Sequence, residues 1–132
     1  MEDEAEGVLR TFLIADVRGY TRYTQTRGDE AAAELAARFA RLTREVVTAG
    51  GGELVELRGD EALAVFTSPR QAVRTAEQIQ RRLRGGEDPG EALPLGIGIG
   101  IDTGEAVPVE DGWRGKALNV AARLCSLAQP GQ

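Results

Sequence analysis

The sequence predicts an α+β domain, a split βαβ sandwich with its helices packed on a sheet. Three observations carry that. A continuous apolar, β-prone run, Thr11-Phe12-Leu13-Ile14-Ala15, suits a central strand buried on both faces. Two strand-like runs, 53–58 and 61–66, are separated only by Gly59-Asp60 and read as a hairpin. Segments of helical periodicity lie on either side of that hairpin.

In chain order, residues 1–8 read as a disordered acidic lead, and the folded domain is expected over 9–132. After the first strand, Gly19 permits a turn and a short helix is expected from Tyr20. A long helix follows Gly28, with Asp29 as its N-cap. Leu35, Phe39, Leu42 and Val46 recur at i, i+4, i+7 and i+11, one helical face, and Gly50, Gly51 and Gly52 end it. After the hairpin, Ser68 is the expected N-cap and Pro69 the first residue of another helix. Its apolar face is Ala72, Val73, Ala76, Ile79 and Leu83. Residues 85–92 read as a loop. Leu93, Leu95, Ile97, Ile99 and Ile101 alternate with Pro94, Gly96, Gly98 and Gly100, a strand with one bulky and one bare face. The bare face lets another backbone approach closely. A further strand is expected over 105–109, then an Asp111-Gly112 turn. A last helix runs from about Gly115 to Leu127, stopped by Pro130 and Gly131. The order βααββαββα is that of a ferredoxin-like sandwich.

Composition narrows the chemistry. The 132 residues amount to one domain, with a formal charge of −5 and no basic face suited to a nucleic acid. Arg81, Arg82 and Arg84 cluster at a helix end, where cations suit the dipole. The single cysteine, Cys125, allows no internal disulfide and reads as core. The chain has no histidine, so any metal is held by oxygens, which favours magnesium, manganese or calcium. No apolar run is long enough for a membrane segment, and Met1 to Gly7 lacks the pattern of a signal peptide. A reducing, cytoplasmic setting is expected.

Few residues have the character and placement for chemistry. Asp16 ends the buried strand, just before a loop whose amides can receive phosphate oxygens. It reads equally as a metal ligand or a helix cap. Asp60 sits at the hairpin tip, an ordinary turn position. Lys116, Asn119 and Arg123 share one face of the last helix, opposite Leu118, Ala121, Ala122 and Cys125. Such a stripe suits an anionic ligand or plain solvent, and an arginine fork matches a phosphoryl group. The Gly96-Ile97-Gly98-Ile99-Gly100 stretch lies inside a strand and lacks the dinucleotide spacing, since Thr103 takes the third glycine's place. Arg58-Gly59-Asp60 matches an adhesion triplet with nothing else to support it.

Four segments in order resemble the class III adenylyl and guanylyl cyclases. Phe12 to Thr21 is similar to their opening signature, and Gly51 to Phe66 to their hairpin. Ile99 to Glu105 resembles their fourth-strand motif, and Ala117 to Leu124 their final helix. The resemblance implies a metal site at Asp16, Asp60 and the Val17 carbonyl, holding two Mg2+ or Mn2+ ions. It implies phosphate binding around Arg18, Gly19, Tyr20 and Thr21. It implies that Asn119 and Arg123 orient the ribose and stabilise the transition state. Purine-selecting positions fall at Glu56 and Lys116, a pair able to read ATP or GTP. The implied partners are a second copy, forming a homodimer, and sensor or regulatory domains fused to this one. The resemblance also implies strands beyond Gln132. The alternative is a catalytically silent module that dimerises or binds nucleotide to regulate a longer protein.

Overall fold

The computed structural model describes residues 6–132. The order is β1 (Val8–Val17), α1 (Tyr20–Arg27), α2 (Asp29–Ala49), β2 (Glu53–Arg58), β3 (Glu61–Phe66), α3 (Pro69–Leu83), a 3-10 turn Pro89–Glu91, β4 (Ile97–Val109), β5 (Gly112–Arg114) and α4 (Lys116–Leu127). The strands form one antiparallel sheet, β2-β3-β1-β4-β5. Putting β1 between β3 and β4 realises the expected split βαβ arrangement.

The run that predicted a buried central strand has that role. Phe12, Leu13, Ile14 and Ala15 are all buried, alternating between two cores. Leu13, Ala15 and Val17 pack on one face with Phe39, Leu42 and Val46 of α2 and Ala72, Ile79 and Leu83 of α3. Phe12 and Ile14 pack on the other with Ala117, Ala121 and Cys125 of α4. Full burial of each large side chain contributes about 1.5–3 kcal/mol, so β1 anchors both layers.

Several sequence expectations need correction. Val8 already belongs to β1, paired with Ala106, so the domain starts before residue 9. The rest of the expected lead, residues 1–5, lies outside the described residues. Gly28 rather than Asp29 caps α2, and no side chain caps that helix. Ser68 does cap α3, accepting from the Gln71 amide at 3.2 Å. Val73 is half-exposed, and Thr75 takes its place on the buried face of α3. Residues 93–96 fall outside the sheet, and the two strands expected over 93–101 and 105–109 are one, β4. Asp102, Thr103 and Gly104 look like a break, but continuous pairing with β1 carries the strand through them, and Thr11 and Thr103 share a 2.8 Å hydroxyl bond. The extra strand is β5, which folds Trp113 edge-on against Phe12, ring centres 5.8 Å apart at 71°. Ala122 is exposed, so the buried stripe of α4 is Ala117, Ala121 and Cys125.

The bare face of β4 carries α4. A Cβ on Gly100 would overlap the Ala121 carbonyl and the Cys125 amide and lie 2.9 Å from Cys125 Cα. Only glycine lets the helix backbone sit directly on the strand.

Candidate active site

The end of β1, the hairpin turn and the start of α1 converge on one cavity of about 590 Å3. Asp16, Val17, Gly19, Tyr20, Thr21 and Asp60 line it, with Arg22, Gln25 and Thr26. Asp16 lies opposite Glu61 on β3 and Gly98 on β4. The Val17 amide donates to the Asp60 carbonyl at 2.8 Å, fixing the hairpin tip beside the strand end. Gly19, at φ 76°, makes the left-handed turn into α1, a conformation that other residues adopt at a cost. The first amides of α1 have no partner one turn back, as at any helix start, and they edge the cavity. The Tyr20 hydroxyl is committed elsewhere, donating to the Ala32 carbonyl at 3.1 Å.

The electrostatics favour a cation here. Partial burial, and then the neighbouring Asp60 carboxylate, push the Asp16 carboxyl up from 3.8 to about 6, against the opposing pull of Arg18. A carboxylate whose ionisation is opposed by burial and by a neighbouring carboxylate is a fitting donor for a hard divalent ion. Among the described residues, no group of three or more acidic, histidine or cysteine side chains gathers as a metal cluster. Asp16 and Asp60 are the two carboxylates that line the cavity, with Val17 between the strand end and the loop.

The remaining predicted residues lie apart from that cavity. Asn119, Arg123 and Lys116 are exposed on α4, away from the buried stripe of Ala117, Ala121 and Cys125. The protomer's own α4 thus directs them outward, and none lines the Asp16 cavity. Glu56 pairs with Arg58 at 3.3 Å rather than with Lys116. A register shift between Leu54 and Glu56 puts Val55 on the α4 side of the sheet, beside Glu56, whose cross-strand partner Leu63 packs there. Lys116 opens α4, where a cation gains nothing from the helix dipole. The Arg18 side chain is not among those lining the cavity; the bare Gly98 leaves it a slot along the sheet. Its Nη1 lies 3.2 Å from Asp16 Oδ2. Cys125 reads correctly as core, its thiol pushed up to about 11 by burial. Arg82 pairs with Glu45 and Glu91, in keeping with the helix-end reading of that cluster.

Sequence reasoning missed Glu61 as part of the field at Asp16, and Trp113 as the cover of Phe12. Glu61 directly follows Asp60, and hairpin pairing places it opposite Asp16, a signal that was available. Nothing local marked the direction of Trp113.

No protein-family model matches the chain. Individual proteins do. An adenylate/guanylate cyclase/hydrolase of Silicibacter pomeroyi is 30% identical, with a TM-score of 0.77, over 97% of this chain and 75% of that one. The chain belongs to the class III nucleotide cyclases. The guanylyl cyclase Cya2 superposes with a TM-score of 0.83 at 27% identity, over 98% of this cyclase domain and 75% of that chain. The adenylate cyclase of Glutamicibacter nicotianae is 32% identical over 124 residues, 94% of this chain. That alignment spans only 30% of the relative's length. Among the described residues, no helix is long and apolar enough to cross a membrane.

Proposed function

We propose that this domain forms a 3′,5′-cyclic purine nucleotide and pyrophosphate from ATP or GTP, at sites shared between two copies of the chain. The observation that carries this reading is the split placement of the site residues. Asp16 and Asp60 share a cavity, while Asn119 and Arg123 face outward from α4. One protomer holds half a site, and a twofold dimer brings each half against the other.

The reaction joins the ribose O3′ to the α-phosphorus, breaks the bond to the bridging oxygen, and releases pyrophosphate and the 3′-hydroxyl proton. Two Mg2+ or Mn2+ ions, held by Asp16, Asp60 and the Val17 carbonyl, would lower the hydroxyl pKa and neutralise phosphate charge when bound. Gly19, Tyr20 and Thr21 offer main-chain amides to the phosphates. Arg123 of the second copy meets charge developing on the α-phosphate, and Asn119 orients the ribose. Glu56 and Lys116 lie where a purine edge is read, one an acceptor and the other a donor, which suits either ATP or GTP. The alignment spans 30% of the Glutamicibacter cyclase, which supports fusion to further domains; a cytoplasmic setting is part of the same proposal.

A second reading, a silent module, draws on the Glu56–Arg58 ion pair, which turns the selecting carboxylate toward its own strand. The deciding experiment measures cyclic nucleotide from ATP and from GTP, with Mg2+ or Mn2+, at high protein concentration. Asp60→Ala and Arg123→Ala should each be inactive alone, and mixed they should recover about a quarter of the parental rate. Recovery nowhere above the single variants would refute the shared site. No product from the folded parental dimer would favour the silent module.

A further inference from the structure

A guanidinium is built into the carboxylate pair from the side that does not face the cavity. Arg18 follows Asp16 by two residues, and its main chain is pinned to β4 by a 2.8 Å bond from its amide to the Gly96 carbonyl. The side chain then lies back along the sheet. A methyl group at Gly98 would overlap its Nη2, Nε and Cζ, so glycine makes the slot it occupies. Nη1 reaches Asp16 Oδ2 at 3.2 Å. Nη2 stands 4.0 Å from Cys125 Sγ on α4, and that thiol donates to the Gly98 carbonyl at 3.4 Å. Nε is buried with no hydrogen-bond partner. A buried donor left unbonded costs free energy, so the slot is not optimised for hydrogen bonding. Its clearest effect is to hold one fixed positive charge against Asp16.

We propose that Arg18 is a positioning residue that sets how tightly the Asp16/Asp60 pair holds a divalent cation. The inference rests on reading that pair as the metal site. Arg18 engages Oδ2 and leaves the other oxygen of Asp16 for a ligand in the cavity. Its charge also opposes any further positive charge at the same carboxylate. For a +1 and a +2 charge roughly 6 Å apart in a medium as polar as water, that opposition amounts to on the order of ten-fold in affinity.

The test is Mn2+ titration onto the whole chain without nucleotide, with free Mn2+ read by electron paramagnetic resonance. Arg18→Met keeps an apolar stem and removes the guanidinium, and it should bind Mn2+ on the order of ten-fold tighter than the parent. Arg18→Gln, a second neutral variant, should shift the same way, so the test survives if one of the two fails to fold. Arg18→Lys keeps the charge and should stay within about two-fold of the parent. A loss of mere structural support would weaken binding instead. Equal or weaker binding by folded neutral variants overturns the role of Arg18. Asp60→Asn separates the two layers of the argument: it should lose Mn2+ binding. Retention by Asp60→Asn would overturn the metal site, and the role of Arg18 with it.

Discussion

Replacing Gly100 with alanine should unseat α4. The new Cβ would stand 2.9 Å from Cys125 Cα and overlap the Ala121 carbonyl and the Cys125 amide. These are main-chain atoms inside a helix, so no rotamer change relieves the overlap. The helix must lift by roughly 1 Å, and overpacking of that kind costs about 3 kcal/mol. For a domain of this size that lowers Tm by roughly 10 °C. Trp113 is the only tryptophan, and it reports unfolding in a urea titration followed by fluorescence. Gly104→Ala is the control, because its Cβ would meet only the Ala117 methyl at 3.1 Å and should cost about 1 kcal/mol or less. Under conditions where Gly100→Ala remains folded, cyclic nucleotide formation should fall on the order of a hundred-fold, since α4 carries Asn119 and Arg123. A Gly100→Ala midpoint equal to that of Gly104→Ala would refute the seating of helix on strand.

Two other outcomes follow from the geometry. Folding raises the Asp16 pKa from 3.8 to about 6, chiefly through burial and then through Asp60, so the folded chain holds that proton more tightly than the unfolded one. Ionised Asp16 therefore opposes folding above about pH 6, and the opposition fades as pH falls toward 4. Thermal melts in a chelator should show Asp16→Asn more stable than the parent near neutral pH and converging with it in acid; parallel profiles would count against the assignment. Trp113→Ala uncovers Phe12 and should cost about 3 kcal/mol, read from urea midpoints by circular dichroism, with Trp113→Phe recovering part of the loss. An unchanged midpoint would mean that Trp113 does not seal the second core.

The elements that local chemistry controls were legible. The apolar run of β1, the Gly59-Asp60 hairpin, the Ser68 cap and the bare face of β4 each follow from side-chain pattern alone. The errors have a common origin in long-range pairing. Asp102, Thr103 and Gly104 favour a turn locally, and ten paired residues of β1 override them. Val73 fits a helical face by spacing, yet it stands at an open cavity shared with Ile99 and Ile101 of β4 and stays half-exposed. Of the site, Asp16 and Asp60 were ambiguous singly, and topology joins them through one main-chain bond. The direction of Arg18 depends on a slot that exists only when β4 lies beside β1 and α4 covers both, which no local pattern encodes.

That main-chain bond has a consequence for how such domains diverge. The Asp60 turn is tethered to Val17 by peptide atoms alone, whichever side chain stands at residue 60. An isosteric change there removes a carboxylate while the anchor persists. On the proposed role of Asp60, catalytic competence and architecture are thus separable by a single codon. Overall likeness to cyclases then speaks to ancestry, and under the proposed metal site the oxygen at the hairpin tip is what activity would turn on.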